Sequence, residues 1–391
     1  MPRIALDSRD FQPRAILCRA PNPLGDAVMA EPALRAIARR FPDAAIDLQI
    51  HQPSAPLAQG WNFLRDILPL KIRKAFVGIA DRYAAAGDLR RRCYDLCVLF
   101  PNSLDSAILP FMAGIPRIAG YARHGRSALL SDRIPFHRDR RAEHMVEYYW
   151  RIAELLGCGP LPVSALIDAE PERTAAILGA SDLTAPHLTV TAEMRERARA
   201  ILAARLPAPN ASFLAVAPGA AYGPAKQWPT ERFTEFCRGA VARFGQPVVL
   251  LGTRSEVPLC DAICAAAGIL PHPVLNLAGA TDLATMLGVL AAASGFVGND
   301  SGAAHLAAAL GLPGVAIFGS TSDRHSGQVG PFMRIRHLHL SCSPCFKRVC
   351  PLGHLNCLKQ IEPASVLDLL AAVIERRRSV GPVASVDSPA P

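Results

Sequence analysis

The feature that most restricts this chain is an alternation. Short apolar runs end at a glycine, proline or aspartate turn, and helical stretches follow them. AILCRA (15–20) leads into GDAVMAEPALRAIARRF (25–41), a helix with a possible restart at Pro32, since proline suits a first helical turn. AIDLQIH (45–51), YDLCVLF (94–100) and PRIAGY (116–121) are further strands. A second series begins at FLAVAPGA (213–220) and continues through PVVLLGT (247–253), GFVGND (295–300) and GVAIFGS (314–320). Helices are expected at 231–244, 256–268, 282–294 and 301–311. Strands alternating with helices argue for parallel sheets covered on both faces, an α/β fold.

Between the two series, residues 157–190 are rich in proline and glycine and lose their periodicity. The chain therefore divides near 175–188, into a domain over 1–182 and another over 183–378. The proline- and serine-rich end, 379–391, reads as a disordered tail. A length of 391 residues suits two domains. No convincing internal repeat links the halves. Two such domains would place a cleft at the carboxyl ends of their strands, where open α/β sheets bind ligands.

Half of the residues are hydrophobic, yet no uninterrupted apolar run reaches membrane-spanning length. The first residues, MPRIALDSRDFQPR, lack an apolar signal core. The expected location is the cytoplasm, where the eleven cysteines are thiols or metal ligands rather than disulfides. The formal charge of +9 favours anionic partners. Its arginines cluster in KIRK (71–74), RRR (90–92) and the stretch from Arg117 to Arg141, without the interleaved aromatics of a single-strand stacking platform, so nucleic acid is disfavoured.

In GNDSGAAHLAAALG (298–311), Asp300, Ser301 and Gly302 stand where a strand passes into a helix, and His305 follows within one turn. A helix start offers unpaired amides and the positive end of a dipole, a seat for phosphate. A capping residue would account for Asp300 or Ser301, but not for glycine and histidine beside it. In APGAAYGPAKQWP (217–229), a loop of small residues ends in Lys226, a point charge suited to phosphate, while Trp228 and Pro229 start a helix and pack as structure. LLGTRSE (250–256) brings Glu256 to another strand end, either toward a ribose hydroxyl or as a first-turn acid of a helix. FGSTSDRH (318–325) is a fourth such turn. None of these fits the dinucleotide or P-loop fingerprints. In the first half, RAPNPLGDAVMAEPAL (19–34) puts Asp26 at the first strand–helix corner, as a helix N-cap or as a carboxylate base for a hydroxyl. CSPCFKRVCPLGHLNC holds Cys342, Cys345, Cys350 and Cys357 with His354 between them, a candidate set for structural zinc; a metal-free reduced loop and a redox-labile pair are the alternatives.

Taken together, these segments resemble the heptosyltransferases of glycosyltransferase family 9. RAPNPLGDAVMAEPALRAI is similar to that family's N-terminal signature, GNDSGAAHLAAALGLPGVAIFGSTSDRH to its C-terminal one, and PGAAYGPAKQWP to the loop between them. The cysteine segment resembles the heptosyltransferase II branch. The resemblance spans about residues 15–375 and implies the GT-B fold: two Rossmann-like doubly wound domains facing across a cleft, with acceptor in the first and donor in the second. It implies inverting transfer of a heptose from ADP-heptose onto the lipopolysaccharide inner core, with Kdo-lipid A or heptosyl-Kdo-lipid A as acceptor. The family's base falls on Asp26 and its phosphate lysine on Lys226. Its diphosphate-binding helix start falls on Asp300, Ser301, Gly302, Ala303 and His305, its donor-site glutamate on Glu256, and the nucleoside near Thr281. Two positions depart from the pattern: Pro23 where an aromatic residue is frequent, and Ala303 where a larger one is.

The expected chemistry needs no metal, because Lys226 and the amides at 301–303 meet the charge on the departing diphosphate. Zinc at the cysteines would be structural. The Arg117–Arg141 arginines are expected to hold Kdo carboxylates or lipid A phosphates. The basic surface is expected to bring the enzyme to the anionic inner leaflet as a peripheral protein. Two other readings stay open: a GT-B transferase or epimerase using another nucleotide sugar, and a non-enzymatic, basic, metal-binding interaction protein.

Overall fold

The computed structural model describes residues 11–70, 79–136, 143–161, 185–208 and 211–380. The chain forms two compact units, Met1–Met194 with Arg324–Gly327, and Arg195–Asp323 with Gln328–Pro391. The boundary read from sequence at 182–183 lies outside the described residues, as do KIRK (71–74) and the tail beyond 380.

The first unit is built from β1 (Ala15–Arg19), α1 (Leu24–Arg40), β2 (Ala45–His51), β3 (Asp66–Leu70), α2 (Ile79–Arg91), β4 (Leu96–Leu99), α3 (Leu104–Met112), β5 (Arg117–Ala122), β6 (Asp132–Pro135) and α4 (Met145–Leu155). Its six strands run in the order β3-β2-β1-β4-β5-β6, every pairing parallel. The central strands are buried because apolar side chains on both faces meet helices: Leu17, Cys97, Leu99 and Ile118 pack with Ala86, Leu89 and Ala107. Helix α1 does not restart at Pro32 but runs through it. Ten of its residues, from Ala27 to Ile37, are buried, and α1 packs along α4. That burial offsets the backbone hydrogen bond proline cannot make. The buried Glu31 of the same helix pairs with Arg35 at 2.8 Å and accepts the His187 backbone N–H at 2.9 Å.

The second unit contains α5 (Ala192–Ala203), β7 (Leu214–Ala217), α6 (Thr230–Phe244), β8 (Val248–Leu250), α7 (Val257–Ala267), β9 (Val274–Asn276), α8 (Leu283–Ala292), β10 (Gly295–Asn299), α9 (Gly302–Ala309), β11 (Gly314–Ile317), the turn α10 (Asp323–Ser326), β12 (Met333–Arg336), the turn α11 (Asn356–Lys359) and α12 (Pro363–Val380). Its sheet order, β12-β11-β10-β7-β8-β9, is the first sheet's order repeated, again all parallel. Trp228, Phe233 and Phe236 join Val216, Leu250, Val297 and Ile317 in one core, closed by Val366, Leu370 and Val373 of α12. Trp228 packs as structure, its ring edge on Phe233 at 5.0 Å. Both sheets have the Rossmann order, whose direction reverses once. That reversal falls between β1 and β4, and between β7 and β10, and opens a crevice at the strands' carboxyl ends.

Candidate functional site

In the second unit the reversal point is furnished by two loops. The one after β7 ends in the 3-10 turn Pro224–Lys226, and the one after β10 enters α9. They meet in an ion pair, Lys226 Nζ to Asp300 Oδ2 at 2.5 Å. Asp300 is only 4% exposed, and its carboxylate also accepts from Thr321 Oγ1 at 2.6 Å and Gln328 Nε2 at 3.3 Å. Three donors converge on it, so it is an inward-facing anchor for Lys226 rather than a contact for an anion. One turn into α9, His305 is buried, and burial lowers its pKa to about 4 against the pull of Asp300. It is a neutral imidazole at pH 7.

The helix start that sequence assigns to phosphate is left without a side-chain cap. Ser301 occupies the N-cap of α9 and makes no capping bond, and its buried Oγ has no hydrogen-bond partner. Simple capping therefore does not explain Ser301 or Asp300. The first-turn amides, with half-buried Gly302 and Ala303, are a small-residue positive pole beside the Lys226 ammonium. Asn299 was not singled out in sequence, yet it ties the two loops: its Oδ1 accepts from Trp228 N at 3.0 Å, and its Nδ2 donates to Pro218 O at 2.7 Å.

Glu256 takes the helix-start role, one of the two that its sequence position allowed. Its Oε2 accepts from Thr253 N at 2.7 Å in a capping box before α7. Its Oε1 lies against Gly219, where an added Cβ would sit 1.8 Å away. The loop after β7 needs glycine there because the carboxylate fills the space of a side chain. Thr281, half-buried, precedes Asp282, the N-cap of α8, whose Oδ1 accepts from Thr285 N at 2.9 Å. It stands on the loop after β9, at the same edge of the sheet.

Asp26 is the third residue of α1, half-buried, in the first turn where the helix dipole favours a carboxylate. It is not the N-cap; Pro23 is. Several arginines of the basic clusters are committed within the unit. Arg117 pairs with Asp132 through two bonds of 3.2 Å, and Arg92 bonds Asp47 and Asp66. Arg90 donates to Met112 O at 2.8 Å. Arg126 is fully buried, donating to Tyr121 O at 2.9 Å and Ser106 Oγ at 2.8 Å, and burial lowers its pKa to about 10. A charge this far from solvent holds loops together and has nothing left for a ligand. Arg123 lies over the Phe136 ring, and Arg138, Arg140 and Arg141 lie outside the described residues.

The cysteine segment packs directly on the Lys226 turn. Ala225 N donates to Arg348 O at 3.0 Å, Tyr222 Oη to Phe346 O at 2.9 Å, and Phe346 N to Ser320 O at 2.7 Å. Gly223, at φ 145°, would put a Cβ 2.7 Å from Arg348 O. Cys342, Cys345, Cys350 and Cys357 line one cavity of about 30 Å³ with His354. Backbone N–H groups of Leu355, Leu352, Gly353 and His354 turn toward Cys350 and hold its thiol below the usual range, an environment suited to a thiolate. Among the described residues, however, the side-chain ligand atoms gathered within 4.8 Å of one another are those of Asp323, His337 and His339.

Comparison with known proteins agrees with this architecture. The family model described as Glycosyltransferase family 9 (heptosyltransferase) matches residues 82–356. A relative from Escherichia coli (strain K12), Lipopolysaccharide heptosyltransferase 2, is 29% identical over 363 residues, covering 92% of this chain and 98% of its own. The solved E. coli ADP-heptose lps heptosyltransferase II superposes with a TM-score of 0.75 at 26% identity, covering 93% of this chain and 99% of that one. A glycosyl transferase family 9 structure from Veillonella parvula DSM 2008 shares the fold with a TM-score of 0.79 at 16% identity, over 95% of this chain and 100% of its own.

Proposed function

From the premise that the chain belongs to glycosyltransferase family 9 and is a glycosyltransferase of GT-B architecture, we propose that it moves a heptose from ADP-heptose onto the lipopolysaccharide inner core. The observation that carries the donor half is the pairing of Lys226 with Asp300 beside the uncapped start of α9. A diphosphate seated there meets one ammonium and a row of amides, both fixed before it arrives. Asp300 takes no part in binding it but fixes the lysine. Neutral His305 can accept or donate one hydrogen bond without adding charge. Glu256 and Thr281, on neighbouring loops of the same edge, are placed for the nucleoside.

The reaction follows from these parts. Asp26 takes the proton of an acceptor sugar hydroxyl, and the oxygen attacks the anomeric carbon opposite the departing diphosphate. The carbon–oxygen bond to the diphosphate breaks as the new bond forms, so the configuration inverts. Negative charge grows on ADP, where Lys226 and the α9 amides stabilise it. No step calls on a metal. A zinc ion at Cys342, Cys345, Cys350 and Cys357 would clamp the segment that carries Arg348 and Phe346 against the lysine turn, a structural part only.

The acceptor on this reading is Kdo-lipid A or heptosyl-Kdo-lipid A. No helix among the described residues is long and apolar enough to cross a membrane. Access to a lipid-borne acceptor then falls to peripheral attraction of a +9 chain to an anionic leaflet, in the cytoplasm. The test is transfer from ADP-heptose to lipid A–Kdo acceptors bearing zero or one heptose, with UDP-sugars as competing donors. Turnover confined to ADP-heptose supports the reading. Turnover with a UDP-sugar alone, or none with any donor, overturns it.

A further inference from the structure

At the carboxyl edge of the second sheet, beyond the lysine turn, three side chains converge that the transfer reaction does not use. Asp323 follows β11, His337 is the first residue after β12, and His339 stands two residues on. Nδ1 of His337 is 3.2 Å from Asp323 Oδ1, and Nε2 of His339 is 3.2 Å from Asp323 Oδ2. The imidazole centroids are 4.1 Å apart.

The hydrogen bonds around His337 decide what kind of atom faces the aspartate. Ser343 Oγ donates its proton to Gly319 O, so toward His337 it is an acceptor. His337 Nε2, 3.0 Å from that oxygen, therefore carries a hydrogen, and in the neutral ring Nδ1 is a bare lone pair. The side chain is 1% exposed, and Nδ1 has no hydrogen-bond partner despite its closeness to Asp323. A buried lone pair facing a carboxylate oxygen at 3.2 Å, without the alignment of a hydrogen bond, is repulsive unless a cation lies between them. Ligand atoms around a divalent ion with bonds of about 2.0–2.1 Å lie about 2.9–3.4 Å apart, which matches both contacts. His339 adopts φ 48°, a left-handed conformation that a β-substituted residue pays strain to hold. That conformation sets its ring beside His337. Ser343 in turn holds His337 by the ring nitrogen not offered to the ion, the usual support of a metal-binding histidine.

We propose that Asp323, His337 and His339 bind a divalent first-row transition ion, with zinc as the best match to two imidazoles and one carboxylate. Half-exposed His339 leaves the remaining coordination positions to water. The ion would fasten the end of β12 to the loop after β11. That loop carries Thr321, which holds Asp300 and through it Lys226. These three are positioning residues for the donor seat, and the site stands whether or not the donor is ADP-heptose.

The experiment uses the full chain, stripped with chelator and titrated with Co²⁺ as a spectroscopic substitute for Zn²⁺. The expected result is a visible spectrum of a nitrogen- and oxygen-bound ion. His339→Ala, at a side chain 59% exposed, and Asp323→Asn should each weaken its uptake at least tenfold while circular dichroism stays unchanged. Cys345→Ser and Cys350→Ser should leave this component in place. The proposal is overturned if no Co²⁺ is taken up at micromolar concentration. It is also overturned if the spectrum carries only sulfur-to-cobalt bands, or if neither His339→Ala nor Asp323→Asn alters the nitrogen–oxygen component.

Discussion

Where β1 and β4 part, the first sheet presents a half-buried carboxylate, Asp26, on the opening turn of α1; the basic group nearest in sequence to that corner, Arg19, is bonded to Ser106 O at 3.3 Å. Where β7 and β10 part, the second sheet presents the reverse: an ammonium, Lys226, held by a carboxylate that is itself bonded from three sides. Strand order is the same in both. Topology thus supplies an opening at each reversal point, and the loop residues decide whether it takes a proton or an anion. On the proposed reaction, the first opening serves to remove a proton from a neutral hydroxyl, and the second meets charge that grows on a leaving group.

The hardest test of that division is Asp26→Asn. Transfer should fall by roughly 10²–10⁴ in kcat, with ADP affinity, read by calorimetry, unchanged. If ADP binding is lost with turnover, the two openings do not have separate tasks. Lys226→Met should cost on the order of 10²–10³ in kcat and also weaken ADP, because it removes charge from the second opening. It also strands the Asp300 carboxylate, so its melting temperature should drop. Gly219→Ala forces Glu256 aside; a rise of about tenfold in the donor KM, with acceptor KM unaltered, would place Glu256 on the donor, since displacing one positioned group costs about 1–2 kcal/mol.

A smaller effect separates the openings by pH. Burial holds His305 down to about 4 from an ordinary 6.5, so the unfolded chain binds more protons than the folded one between those values. Stability contributed by neutral His305 is complete above pH 6.5 and is lost as pH falls toward 4. Urea unfolding of His305→Gln should lack that part of the slope. The smallest expected effect on kcat is that of chelation: EDTA should leave the chemical step of the folded enzyme running, with the loss of an ion at Asp323, His337 and His339 read in the donor KM. Abolition of turnover at saturating donor with structure intact would contradict charge stabilisation by lysine and amides alone.

How much of this the sequence disclosed follows from burial. Every strand legible as an apolar run, such as AIDLQIH or GFVGND, lies inside a sheet, where both faces meet helices. The strands it did not disclose, β3, β6, β9 and β12, are the four edges. Their half-exposed residues, as in DILPL or MRIR, carry no continuous apolar signal. The site divides similarly. Asp300, Ser301 and His305 were legible because one helical turn gathers them. The inward orientation of Asp300 was not, because Thr321 and Gln328 approach it from 21 and 28 residues away. Local spacing contains nothing about such partners. The pairing of the arginines was not legible for a related reason: composition counts charges, but Asp47, Asp66 and Asp132 already answer Arg92 and Arg117.

Asn299 has a consequence of another kind. Its amide is a rivet through two sheets of metal, one face on the Trp228 backbone and the other on Pro218. Trp228 in turn is bolted by its indole N–H to Ile361 O at 3.2 Å, at the foot of the last helix. The spacing of the loops after β7 and β10 is therefore set by the interior of the second unit rather than by whatever molecule enters. Sequence drift that loosens this fastener should blunt discrimination between closely related sugar nucleotides before it unfolds the protein.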